Sequence, residues 1–230
     1  MNFSEFREKY GIKLNEQQTE AVTAVNGYNL LLAVPGSGKT TVLVTRLGYM
    51  IYCLGIDPGS ILTMTYTVAA THDMKNRFCS FFGEEKSESL EFRTINGVCA
   101  KIIQSYERMT GGRAFSLITD EKELSAPLSA IYKECTGEFP TESDIKGVRT
   151  MLTYAKNMLL SAEEIEAMDS EGMPFSKIYK KYNGMLKEQR LMDYDDQMVY
   201  AYRILRMYPT LLDRVSQKYR YICVDEAQDT

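Results

Sequence analysis

Gly36-Ser37-Gly38-Lys39-Thr40 brings two glycines, a lysine and a hydroxyl into one short run. Such a run can cradle phosphates: successive backbone N–H groups converge on anionic oxygens, the ammonium adds a point charge, and the hydroxyl can hold Mg²⁺. Glycine at 36 and 38 permits backbone turns and a close approach that a Cβ would obstruct. The candidate nucleotide-binding stretch runs from Ala33 through Val34 and Pro35 to Thr41, and it has alanine at 33 where the strict Walker A pattern has its first glycine. A second candidate, Asp225-Glu226, follows the apolar run Tyr221 to Val224. An acidic residue at the carboxyl end of a strand beside a phosphate loop is the Walker B arrangement. It gives Asp225 and Thr40 the metal-holding roles and makes Glu226 the base that polarises an attacking water.

These groups need a strand before the loop and a helix after it. The apolar run Tyr28 to Ala33 predicts a buried strand, and TTVLVTRLGYMIYCL, closed by Gly55, predicts a helix. Ahead of them residues 15–26 have helical spacing, with Asn15 as cap, Gln18 at the capping-box position and Gly27 past the end. Ser60 to Tyr66 reads as a strand leading into a helix through about Phe82, and Leu90 to Arg93 as an extended piece leading into a helix through Arg108. Strands alternating with helices predict a parallel sheet covered on both faces. Between Phe115 and Arg190 helix follows helix, with Thr119, Thr141 and Ser161 as caps, Pro174 near a first turn and a capping box in SAEE at 161–164. Helical stretches at 193–207 and 209–218 lead back to a strand, Tyr219 to Val224. The fold class is therefore α/β, a P-loop NTPase parallel sheet flanked by helices and carrying an all-helical insertion. Its segments are 1–112, the insertion 113–190, and the return 191–230.

With 230 residues, 44% apolar and 25% charged, the chain has ordinary globular composition, without disordered, collagenous or disulfide-scaffold bias. Its longest apolar runs, Leu30 to Val34 and Met50 to Leu54, fall short of the roughly 18–20 residues of a membrane span. MNFSEFREKY is charged and lacks the apolar core of a secretory signal, so a cytoplasmic protein is expected. Cysteines 53, 79, 99, 135 and 223 have no CxxC spacing and read as small core residues, and a single histidine, His72, on a solvated helix face argues against zinc. Net charge is −4 with no basic stripe, so any nucleic acid must be held by placed aromatics and loop amides more than by a bulk field.

With both acidic and phosphate-loop motifs in place, the chain resembles the N-terminal part of a superfamily 1 DNA helicase of the UvrD/Rep/PcrA type, over nearly all its length. LNEQQTEAV (14–22) resembles the family's Q motif, which implies that Gln18 contacts the adenine edge; the capping box with Asn15 competes for the same amide. ILTMTYT (61–67) with AATHDM (69–74) is similar to motif Ia and FRTINGVCAKII (92–103) to motif Ib, both of which line the single-strand channel. This implies DNA contacts at Thr65, Tyr66, Thr67, Thr94 and Asn96, with Tyr66 stacking on a base and the threonines offering hydroxyls to phosphates. Taken alone, Tyr66 is a strand-end aromatic that can equally be core. TYAKN (153–157) resembles part of the 1B subdomain, and MDYDDQM (192–198) the segment preceding motif II. KYRYICVDEAQDT is close to motif II, in which Gln228 would sense the γ-phosphate beside the catalytic Lys39 and Glu226.

The resemblance implies ATP and Mg²⁺ as cofactors, single-stranded DNA or a duplex–single-strand junction as partner, and 3′ to 5′ movement by two RecA-like lobes. It makes the sheet RecA-like and the insertion 1B-like. The chain departs from the family at Val68-Ala69, usually Asn-Lys, at Asn96, usually His, and at Thr41, often an arginine that packs on adenine. It stops at Thr230, before the later motifs and the second lobe, whose arginines stabilise transition-state charge. Read this way it is an ATP-binding half, inactive or weakly active alone, and its partner is the C-terminal lobe of the same protein. A different class, a helicase-like ATP-dependent binding module without unwinding, is favoured by the departures.

Overall fold

The computed structural model describes residues 1–120 and 122–227. They fall into two compact units, one built from Met1–Gly97 and the chain from Leu212 onward, the other from Val98–Leu211.

The first unit contains α1 (Phe3–Lys9), α2 (Glu16–Thr23), α3 (Lys39–Tyr52), β1 (Ile61–Thr65), α4 (Val68–Phe82), β2 (Glu91–Thr94), the first turn of α5 (Ile95–Thr110), most of α11 (Pro209–Lys218) and β5 (Tyr221–Val224). β1 lies between β2 and β5 and runs parallel to both, with Thr65 opposite Thr94 and Met64 opposite Val224. The Asp225 N–H extends the ladder by donating to the Met64 carbonyl at 2.9 Å. Ile61, Leu62, Thr63 and Thr65 are buried, as expected of a central parallel strand covered on both faces. The core continues through Leu47 and Met50 of α3, Met74 and Phe78 of α4, and Phe82, whose ring meets Phe6, Tyr10 and Phe78. Gly48 makes room for that ring, because a Cβ there would stand 2.2 Å from Phe82 Cζ. Phe6 comes from α1, an element the sequence reading did not assign, held at its start by a reciprocal Asn2–Glu5 capping box.

Two expectations for this unit are corrected. α2 ends at Thr23 and not at Asn26, since Val25 leaves the helical path and is buried in the core. Tyr28 to Ala33 forms no strand: it is an open segment in which Leu30 and Leu32 are 77% and 81% exposed. A strand exists only as a ladder, and among the described residues the sheet comprises β2, β1 and β5, with no pairing to 28–33.

The second unit is helical and holds the rest of α5, α6 (Lys122–Thr136), α7 (Glu142–Asn157), α8 (Ala162–Glu166), α9 (Phe175–Glu188) and α10 (Tyr194–Met207). Thr141 and Ser161 cap α7 and α8 with reciprocal boxes to Asp144 and Glu164, and Pro174 stands at the N-cap of α9. At the head of α6 the Lys122 N–H donates to Asp120, one residue past the expected cap Thr119. β3 (Ser116–Leu117) and β4 (Leu191–Met192) pair in parallel, too short to show a period in sequence. Leu128, Val148, Phe175 and Ile178 fill the core.

This unit also brings TYAKN and DYDD together. Lys156 is 3% exposed at its side chain, and its ammonium lies 2.6 Å from Asp193 Oδ2 and 2.9 Å from Asp196 Oδ1. The Tyr182 hydroxyl donates to Asp193 Oδ2 at 3.0 Å, while Thr153 and Asn157 donate to Asp195. Burial pushes the Asp196 carboxyl above its usual range, against the pull of the Lys156 ammonium. Of the cysteines, 99 and 223 are buried and 53, 79 and 135 half-buried. Among the described residues no helix is long and apolar enough to cross a membrane.

Lys156→Ala would strand two enclosed carboxylates, at an expected cost of about 3–5 kcal/mol. Urea unfolding followed by far-UV circular dichroism measures it, and an unchanged midpoint would remove the cluster as the link between α7 and α10.

Candidate functional site

The phosphate-loop candidate begins at the open segment. The Ser37 N–H donates to the Val34 carbonyl at 3.2 Å, closing a turn across Pro35 and Gly36. Gly36 and Gly38 have φ of +77° and +86°, in the left-handed region where side chains are strained, and Gly38 is the N-cap of α3. The first helical residue after it is Lys39, so the N–H groups of the first turn of α3 are left without helical carbonyls and face the loop. Lys39 folds back so that its ammonium meets the Ala33 carbonyl at 3.5 Å, and Thr40 and Thr41 follow, half-buried, in the first turn. Ala33, Val34, Pro35 and Gly36 are exposed. Ser37 Oγ is buried with no partner.

Gln18 resolves the competition for its amide by dividing it. Its Oε1 accepts from the Asn15 N–H at 3.1 Å, while its Nε2 donates to the Ser37 carbonyl at 3.1 Å. Nothing in sequence links residues 18 and 37; the bond needs α2 packed against α3, where Arg46 also donates to the Ala21 carbonyl at 2.9 Å. α2 thus supports the loop from one side.

Asp225 and Glu226 follow β5. Burial pushes the Asp225 carboxyl above the usual carboxylate range and Glu226 adds to the shift, while the Glu226 N–H and the Lys39 ammonium pull it down. The acid of the strand end therefore feels the charge of the loop lysine. Glu226 is exposed and has φ of +52°, uncommon for a residue with a Cβ and frequent where a side chain is being aimed. Gln228 lies outside the described residues.

The residues expected to face DNA share the carboxyl edge of the same sheet. Tyr66, directly after β1, is 62% exposed, so it is not core. Thr67 is exposed and caps α4, its hydroxyl accepting from the Ala70 N–H at 3.1 Å. Thr94 ends β2 and accepts from the Gly97 N–H at 3.0 Å, which leaves its hydroxyl proton to donate. Thr65 is different: it is 1% exposed, and its hydroxyl lies 3.1 Å from the Thr67 carbonyl and 2.6 Å from Thr71 Oγ1. It shapes the turn and presents no group to solvent. Asn96 is half-buried with Oδ1 enclosed and unpartnered. Val68 and Ala69 are exposed in the first turn of α4, and His72 is exposed further along it.

These parts fit a magnesium nucleotide: left-handed glycines at the turn, a helix N-terminus, an ammonium on the first helical residue, a hydroxyl in the first helical turn, and a carboxylate within the ammonium's electrostatic reach.

Comparison with known proteins gives the same direction. The profile of the UvrD/REP helicase N-terminal domain matches residues 14–230. The chain is 31% identical over 220 residues to the ATP-dependent DNA helicase PcrA of Bacillus subtilis, covering 94% of this chain and 29% of that protein. It is 28% identical over 218 residues to the ATP-dependent DNA helicase Rep of Buchnera aphidicola, covering 94% and 32%. It is 27% identical over 222 residues to the ATP-dependent DNA helicase UvrD1 of Mycobacterium leprae, covering 94% and 28%. The chain thus spans less than a third of the length of these relatives.

Gly38→Ala would force alanine into a left-handed backbone, at about 1–2 kcal/mol. The added Cβ meets Gln18 Nε2 at 3.5 Å, an ordinary contact, so strain is the whole effect. Differential scanning calorimetry should show a midpoint lowered by about 2–4 °C per kcal/mol.

Proposed function

The chain belongs to the UvrD/REP helicase family, and from that premise we propose that it is the ATP-binding half of an enzyme that couples ATP hydrolysis to 3′ to 5′ movement on single-stranded DNA in the cytoplasm. The observation that carries this reading is the meeting of two kinds of residue on one unit. Lys39 and Asp225 interact electrostatically, and Asp225 leaves the same sheet edge as Tyr66 and Thr94. A ligand change at Asp225 is then one strand away from the residue offered to a base. In this reading the sheet unit is a RecA-like lobe and 113–190 a 1B-like insertion.

Bound Mg²⁺ and ATP would supply the phosphoanhydride and the cation that neutralises charge on its oxygens. The chain's own residues do the rest. The loop from Ala33 to Thr41 wraps the phosphates, and Lys39 exchanges the Ala33 carbonyl for a phosphate oxygen, a stronger, charge-assisted bond. Thr40 and Asp225 would hold the cation, and Glu226 accepts a proton from the attacking water. Gln228 is proposed as the γ-phosphate sensor. Gln18 retains one N–H and one lone pair for an adenine edge, since an amide offers two of each. Tyr66 stacks on a base while Thr67 and Thr94 donate to phosphates; Asn96 joins them if its amide is released, and Thr65 acts through the turn that carries Tyr66. The partner is single-stranded DNA or its junction with duplex, together with the C-terminal lobe that the family supplies.

Lys39→Ala should weaken ATP binding roughly 10–100-fold by removing a charge-assisted contact, as read by calorimetry. The 230-residue chain should turn over ATP no faster than that variant, with or without single-stranded DNA. Turnover stimulated by DNA would mean that the chain completes its own catalytic site.

Tyr66→Ala should weaken oligonucleotide binding roughly 5–150-fold, the equivalent of about 1–3 kcal/mol of stacking. An unchanged affinity in fluorescence anisotropy would favour a binding module whose partner is not single-stranded DNA.

A further inference from the structure

The Gln18 side chain is held at both ends. Its carbonyl end closes the capping box with Asn15, whose own Oδ1 accepts from the Gln18 N–H at 2.8 Å, so the side chain is anchored to the first turn of α2. Its amino end donates to the Ser37 carbonyl, and the same nitrogen lies 3.5 Å from where a Gly38 Cβ would stand. The peptide between Ser37 and Gly38 is therefore gripped at its oxygen. In a planar trans peptide the C=O and the following N–H point in opposite directions. Holding the Ser37 oxygen towards α2 fixes the Gly38 N–H away from α2, at the mouth of α3. The glycines on either side of Ser37 have no intrinsic preference that would fix this plane, and both stand at positive φ.

We propose that Gln18 is a positioning residue for the phosphate loop, setting the orientation of the Ser37–Gly38 peptide and with it the N–H that greets a phosphate. This goes beyond adenine contact and rests on the reading that the loop binds phosphates. α2 is then a buttress whose capped N-terminus is rigid because the same amide closes the cap. A nucleotide that engages the remaining N–H and lone pair of Gln18 meets an amide already tied to the loop, so base recognition and phosphate recognition are coupled through one side chain.

The test separates phosphate from base. Calorimetric titration with inorganic tripolyphosphate and with ATP, each with Mg²⁺, is run on the 230-residue chain and on Gln18→Glu, Asn15→Ala and Lys39→Ala. Gln18→Glu keeps an oxygen for the Asn15 N–H but turns the donor that faced the Ser37 carbonyl into an acceptor. The expected result is a similar loss, roughly 5–20-fold, for tripolyphosphate and for ATP, the scale of one lost hydrogen bond. Asn15→Ala, which removes the cap and keeps the tie, should lower the melting midpoint and leave tripolyphosphate affinity within twofold. Loss of ATP affinity alone in Gln18→Glu would overturn the proposal in favour of adenine recognition only. An equal loss in Asn15→Ala would overturn it in favour of simple helix capping. If Lys39→Ala binds tripolyphosphate like the unmodified chain, the phosphate-loop reading itself fails, a result distinct from failure of the tie.

Discussion

Parallel pairing of β1 with β2 and β5 is the constraint on which the rest of the site depends. Parallel strands all end on one edge, and here the register sets Thr65 level with Thr94 and carries Asp225 onto the Met64 carbonyl. Tyr66, the cap of α5 and the Asp225-Glu226 pair therefore emerge together. Burial of Ile61, Leu62, Thr63 and Thr65 on both faces of β1 holds that strand between its two neighbours. The chemistry of the edge is thus paid for in the core beneath it, by Met74, Phe78 and the aromatic cluster around Phe82.

Around that edge, residues with two obligations recur. Thr67 caps α4 and stands next to the exposed Tyr66. Thr94 caps α5 and keeps a proton to donate. Gln18 caps α2 and donates to the Ser37 carbonyl. A helix start already collects unpaired N–H groups, so a side chain recruited to satisfy them is fixed in place without a separate support. Its remaining hydrogen-bonding capacity then points in a defined direction.

The helical unit is specified by a different device. Its core is ordinary aliphatic and aromatic packing, but its joint between α7 and α10 is ionic, with Lys156 enclosed between Asp193 and Asp196. Hydrophobic faces tolerate small slides. A buried ammonium between two carboxylates does not, and it fixes which turn of α7 meets the start of α10. The two segments TYAKN and DYDD, which carry a family resemblance, are the two halves of that joint.

Much of this was legible in residues alone. Amphipathic periods gave most of the helices, Asn15, Thr141 and Ser161 announced starts, and the Gly-rich run announced the turn that opens α3, because these are local properties of a few neighbouring residues. The acidic pair after an apolar run and the family resemblance were equally open to reading. What tertiary structure decided were the relations between distant residues. Tyr28 to Ala33 has the composition of a strand yet forms no ladder, since pairing requires a neighbour that composition cannot name. Thr65 and Tyr66 are adjacent and similar in promise, but the covered strand ends between them, so Thr65 stays enclosed in the sheet and Tyr66 emerges from its edge. The division of the Gln18 amide between Asn15 and Ser37, and the enclosure of Lys156 by Asp193 and Asp196, depend on packing across tens of residues. Local sequence determines which groups can form hydrogen bonds and charges; only the folded chain decides which of them are already spent on one another.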